Sequence, residues 1–170
     1  MERFLAEVCT PEWNRRQDAG RSWAEAVDTL AAEHPDQRAL IVAYHERWVE
    51  TLGGAIDGSV AILEELHGRG LPLYALSNWS AETWPFAADR YRFLDRFTDI
   101  VISGDAGVAK PDPLIYRRLI DRNGLDPTTT AFIDDVAANV EAGKKLGFIG
   151  LLYVDPARLR RDLEELGLLG

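Results

Sequence analysis

The chain has 170 residues, 46% of them hydrophobic and 28% charged, with a formal charge of −9. That is enough for one core, or a core with a small satellite domain, and the acidic balance argues against a nucleic-acid backbone as partner. No apolar run approaches the roughly 20 residues needed to span a bilayer. The opening MERFLAEVCT carries charges among its apolar residues and does not read as a secretory leader. A single cysteine, Cys9, excludes an internal disulfide and fits a reducing cytoplasm.

In chain order, every segment before residue 57 reads as helix. Ser22-Trp-Ala-Glu25 has capping-box spacing, with Trp23, Val27 and Leu30 following at i, i+4 and i+7. Pro35 opens a longer predicted helix whose Leu40, Tyr44, Trp48 and Leu52 form one apolar stripe, closed by Gly53-Gly54. Residues 1–56 are therefore expected to form a small all-helical unit.

From residue 57 the pattern alternates. A helix near 59–67 precedes the apolar run Leu71–Leu76, and a helix near 80–90 precedes Asp99–Ser103. The next helix is framed by Asp112 as cap, Pro113 at its first position and Asn123-Gly124 past its end. The run Thr130–Ile133, a helix closing at Gly147, the run Ile149–Val154 and a last helix capped by Asp155 complete the chain; that helix carries Leu159, Leu163 and Leu166 as its stripe. Short buried-type strands separated by helices predict an α/β core over 57–170, a Rossmann-like, doubly wound parallel sheet. Ligands bind outside the carboxyl ends of such strands, and Ser77, Lys110 and Asp134-Asp135 all lie at or just after such ends.

Each candidate also has a plain structural reading. One aspartate of Asp134-Asp135 is explained as a helix cap, whereas two in a row suit a hard cation such as Mg²⁺, which takes oxygen ligands. Lys110 could be a solvated turn lysine, or a point charge balancing a phosphoryl group and carboxylates. Ser77-Asn78 could be turn chemistry, or donors to an anion's oxygens. Together a hydroxyl, a lysine and an acidic pair suggest phosphoryl chemistry. Response-regulator receivers use this set with the acidic pair first, which is not the order here.

The order Ser77, Lys110, Asp134-Asp135 resembles that of the haloacid dehalogenase superfamily, in its helical-cap branch. Leu76-Ser77-Asn78 is similar to that family's second motif, and Ala109-Lys110-Pro111-Asp112-Pro113 to its third. Phe132-Ile133-Asp134-Asp135 with Asn139 is similar to its fourth. The first 56 residues resemble the family's helical cap. Trp13-Asn14 and Asp18-Ala-Gly20-Arg21 resemble the cap of sugar-phosphate phosphatases of the glucose-1-phosphate phosphatase type.

The resemblance implies a Mg²⁺-dependent phosphatase of small phosphorylated metabolites, working through an aspartyl-phosphate. Ser77 and Asn78 would bind phosphoryl oxygens, and Lys110 would hold nucleophile and phosphoryl group in place. Asp135 would be a direct metal ligand and Asp134 a direct or water-mediated helper. Trp13, Asn14, Asp18, Arg21 and Trp79 are substrate candidates by position, although for the tryptophans core packing between cap and body is the stronger reading. Removal of halide from haloacids is the weaker reading, because it needs no acidic pair in the fourth motif.

One part of the pattern is absent. The family's first motif, an apolar strand ending in Asp-x-Asp, supplies the nucleophile and would form the central strand, yet no Asp-x-Asp occurs in the chain. Either Met1 is internal and about 25 further residues precede it, or the chain is catalytically dead and acts as a binding protein. In both cases the 170 residues by themselves are expected to be inactive. The sheet is expected to have a gap between the strands ending at Ser77 and Asp134, and such a seam favours association.

Overall fold

The computed structural model describes residues 2–170. Its helices and strands run α1 (Glu2–Glu7), α2 (Pro11–Asp18), α3 (Trp23–Glu33), α4 (Arg38–Glu46), α5 (Asp57–Gly68), β1 (Tyr74–Ser77), α6 (Trp84–Arg90) and β2 (Asp99–Ile102). They continue with α7 (Ser103–Ala106), α8 (Pro113–Asn123), β3 (Ala131–Asp134), α9 (Ala137–Lys145), β4 (Ile149–Leu152) and α10 (Pro156–Glu165). No helix among the described residues is long and apolar enough to cross a membrane.

Capping chemistry sets the starts of α2, α3, α8 and α10. Ser22 accepts a hydrogen bond from the Glu25 amide at 3.2 Å, Asp112 from Leu114 at 2.9 Å, and Asp155 from Arg158 at 2.8 Å. Each contributes about 1 kcal/mol by giving an otherwise orphaned N–H a partner. Gly124 closes α8 at φ 61, a left-handed turn that a side chain would strain.

The helix expected from Pro35 to Leu52 is interrupted. Pro35–Gln37 and Trp48–Thr51 are 3₁₀ turns, and only Arg38–Glu46 is α-helical. The tighter turn at the start rotates the following face. Ile41 is consequently the fully buried residue of α4, while Leu40, assigned to the stripe, is 53% exposed. Similarly, Leu159 and Leu163 of the last helix are buried, but Leu166, just past its end, is exposed.

The chain forms two compact units. One contains the residues up to Gly54 together with Ser77–Arg90 and Ile102–Ala109. Its core is Trp13, Trp23, Val27, Leu30 and Ile41 with their neighbours, and Trp13 and Trp23 meet edge to face at 5.6 Å. Trp23 ties in the later segment, donating from its indole to Ser80 Oγ at 3.2 Å and from its amide to Glu82 at 2.9 Å.

The other unit contains Ala55–Leu76, Tyr91–Val101 and Lys110–Gly170. Helices α5 and α10 pack through Ile62, Leu66, Leu159 and Leu163. Tyr116, Phe132 and Phe148 form an aromatic group with centroids 5.2–6.5 Å apart, and the Tyr116 hydroxyl donates to the Asn139 carbonyl at 2.8 Å.

The four predicted strands are present in alternation with helices, which gives the α/β class. Their pairing is divided: β1 pairs with β2, and β3 pairs in parallel with β4, as two separate two-stranded sheets among the described residues. The gap lies between the sheets, where the sequence places it.

Candidate active site

The best-organised polar cluster joins the ends of β1 and β3. Lys110 Nζ donates to the Leu76 carbonyl at 2.5 Å and to Asp134 Oδ2 at 2.7 Å. The other carboxylate oxygen of Asp134 accepts from Asn139 Nδ2 and from the Val136 amide, each at 2.9 Å. The Lys110 and Asp134 side chains are only 10% and 5% exposed. In so little solvent the attraction of the pair is strong, and every lone pair in use has a donor. Lys110 Nζ also lies 5.9 Å from the centre of the Phe132 ring, a cation–π contact.

Local sequence explains this convergence. Asp134 ends its strand and accepts from the Val136 amide two residues on, an Asx-type turn. The N-cap position of α9 is Val136, which makes no side-chain cap, so neither aspartate of the pair acts as the helix cap weighed for one of them. Asn139 is five residues on and buried, at one turn's reach of the carboxylate. Burial, and then the charge of Asp134, push the Tyr116 phenol upward.

Asp135 differs from its neighbour by standing exposed. Both Asp134 oxygens are occupied by protein donors, so Asp135 carries the available carboxylate of the pair. No group of three or more His, Cys, Asp or Glu able to hold a metal occurs among the described residues. Mg²⁺ commonly takes one or two carboxylates and completes its shell with water and phosphate oxygens, and the exposed, hard Asp135 oxygens fit that pattern.

Ser77 is the last residue of β1, with Asn78 next, and both are half-buried. They belong to the helical unit, as do the five substrate candidates. Trp13 is buried in its core, with Arg21 stacked 5.6 Å from the ring centre. Arg21 is held by Gln17 Oε1 at 2.6 and 2.9 Å. Asn14 reaches Asp18 at 3.5 Å. Burial pushes the Asp18 carboxyl up to about 6, opposed by a hydrogen bond with the Ser80 backbone. Trp79 meets Trp48 and Trp84 edge-on, both at 5.6 Å. Among the described residues, the buried polar atoms Trp13 Nε1, Asn14 Oδ1, Gln17 Nε2 and Trp79 Nε1 of this unit have no hydrogen-bond partner.

Three participants escape sequence reasoning. The Leu76 carbonyl and the Val136 amide are backbone groups without a side-chain signal. Buried Gln17 sits one helical turn before Arg21, and that i, i+4 spacing is the signal that could have found it.

With this geometry established, similarity to known proteins becomes informative. The model of the haloacid dehalogenase-like hydrolases matches residues 5–147, and the chain belongs to that family. It is 27% identical over 113 residues to the chloroplast protein flavin mononucleotide hydrolase 1 of Arabidopsis thaliana, covering 66% of this chain and 46% of that protein. It is 28% identical over 106 residues to a sesquiterpene phosphatase of Aspergillus oryzae, covering 62% of this chain and 54% of that one. The chain thus spans about half the length of these relatives. A haloacid dehalogenase family enzyme from Bacteroides thetaiotaomicron, solved with magnesium and inorganic phosphate, superposes with a TM-score of 0.68 at 25% identity. That match covers 82% of this chain and 73% of the other.

Proposed function

We propose that these residues belong to a cytoplasmic, Mg²⁺-dependent phosphatase of small phosphorylated metabolites, sugar phosphates among them. The observation that carries this reading is the buried Lys110–Asp134–Asn139 cluster beside exposed Asp135, at the carboxyl ends of β1 and β3. Relatives that are phosphatases and hydrolases of phosphate compounds support it.

In this reading the nucleophilic aspartate arrives on an apolar strand ending in Asp-x-Asp. Its carboxylate oxygen attacks phosphorus, the bond from phosphorus to the ester oxygen breaks, and the leaving alkoxide takes a proton from an acid. Water then attacks phosphorus, which releases inorganic phosphate and regenerates the carboxylate. Lys110, fixed by Asp134 and the Leu76 carbonyl, orients the nucleophile and offsets phosphoryl charge. Ser77 and Asn78, directly after Leu76 in the chain, donate to phosphoryl oxygens. Asp135 would hold Mg²⁺, which when bound neutralises charge between the carboxylates and the phosphate. Residues 1–56 act as the cap that selects the leaving group, through Trp13, Asn14, Asp18, Arg21 and Trp79.

The test uses two proteins, the 170 residues alone and the same residues preceded by an apolar strand ending in Asp-x-Asp. Phosphate release is followed over a panel of esters with and without Mg²⁺. The expected result is turnover by the extended protein only. Turnover by the 170 residues alone would remove the need for an added nucleophile. A folded extended protein inert to every ester would remove the phosphatase reading itself.

A further inference from the structure

The sheet of β3 and β4 leaves the outer edge of β4 open. In a parallel ladder, alternate residues of a strand turn their N–H and C=O to opposite edges. The Ile149 and Tyr153 amides donate to the Thr130 and Asp134 carbonyls at 3.0 and 2.9 Å, so odd-numbered positions of this segment face β3. Gly150, Leu152 and Val154 therefore turn their backbone groups outward, and no other strand among the described residues pairs with them. Natural sheets blunt such an edge with charged residues, proline or a bulge. Here the outward positions carry a glycine and two aliphatic residues. Leu152 is 45% exposed and Val154 68%, and both line a cleft of about 450 Å³ with exposed Leu166.

The charges beside this edge select its occupant. Arg158, Asp162 and Glu165 stand at i, i+4 and i+7 on α10 and line the same cleft. Arg158 Nε holds Asp162 at 2.7 Å, whereas Glu165 makes no ion pair among the described residues. Because both ends of this stripe border the cleft that Gly150 and Val154 line, α10 doubles back along β4. Arg158 lies toward Val154, and Glu165 toward Gly150.

A two-fold axis at Leu152, perpendicular to the sheet, would reverse both elements. Leu152 then pairs with its own copy and Gly150 with Val154 of the second copy, each pair exchanging both of its hydrogen bonds. The missing side chain at Gly150 leaves room for the exposed Val154. The same operation sets Arg158 of each copy against Glu165 of the other, and Asp162 keeps its own arginine. The edge is complementary to itself in ladder, in shape and in charge.

We propose that the outer edge of β4, with the face of α10 beside it, is a self-pairing surface. It docks a second copy of this chain antiparallel across a two-fold axis at Leu152, which joins two β3–β4 sheets into one. This pairing is independent of the phosphatase reading.

Self-association of the 170-residue protein is measured by sedimentation velocity over a dilution series, with amide exchange read at Leu152 and Val154. A reversible dimer is expected, with both amides slowed at least tenfold where it forms. Arg158→Glu should weaken the dimer at least tenfold, as should Glu165→Arg, because two-fold symmetry counts each change twice. Both side chains are exposed, so the two variants keep the fold, as circular dichroism checks. Mixing the variants restores opposite charges at both ends of the edge. The mixed dimer should form at least tenfold more tightly than either variant pairs with itself. A monomer at every concentration overturns the proposal, and so does a mixture of folded variants that gains nothing. A dimer that ignores both substitutions, or that leaves Leu152 and Val154 exchanging freely, is built on another surface and overturns it too.

Discussion

Lys110 and Asp134 form an ion pair whose two partners are both nearly excluded from water, and their energetics follow from that. Removing one member leaves a buried charge without compensation. Lys110→Met should destabilise the protein by about 3–5 kcal/mol in urea denaturation. Asn139→Ala should cost about 1–3 kcal/mol, because an Asp134 lone pair then lacks its buried donor. The exposed Arg3–Glu7 pair is the contrast, and its loss should fall below about 1 kcal/mol. Asp18 behaves in the opposite sense to a paired carboxylate. Its value in the folded protein lies above its ordinary 3.8, at about 6, so the native state holds the proton more tightly. The associated stability is complete below about pH 3.8 and is lost as pH rises through about 6. Asp18→Asn should flatten that decline and raise the melting temperature at pH 7, as read by thermal denaturation across pH 4–8.

At the scale of elements, the turn after β1 is fastened to the start of α7. The Gly104 amide donates to the Trp79 carbonyl at 2.9 Å, and the Trp79 amide donates to Ser103 Oγ at 2.9 Å. A Cβ on Gly104 would meet the backbone of Trp79–Ala81, with the Trp79 oxygen at 2.8 Å and the Ser80 carbonyl carbon at 2.9 Å. Backbone on both sides of the contact leaves nothing flexible to move. Gly104→Ala should therefore cost at least about 1–3 kcal/mol, measured by chemical denaturation. Gly107→Ala is the control: nothing lies within 4 Å of its Cβ, and only its positive φ of 66 opposes the change. Helix frames such as Asp112–Gly124 follow local rules and were legible as sequence. The Pro35–Leu52 segment was not, because a single 3₁₀ turn shifts the buried face from Leu40 to Ile41 and leaves no mark in the apolar spacing.

At the scale of the whole chain, the order of motifs along an alternating pattern pointed to the α/β class, the family and a gap in the sheet. Those features depend on residue type and on distance along the chain, which the sequence states directly. It also brought Lys110, Asp134 and Asn139 forward as candidates. Tertiary structure alone decided that Asp134 is consumed by protein donors while Asp135 is open, since that depends on which side of a strand end each carboxylate leaves. It also decided that Leu76 contributes a carbonyl to the lysine, and that Gln17, Ser80 and Ser103 act as buried polar ties. Backbone acceptors and polar side chains inside a core have no periodic signature. Their partners lie tens of residues away, and only folding brings them within hydrogen-bonding distance.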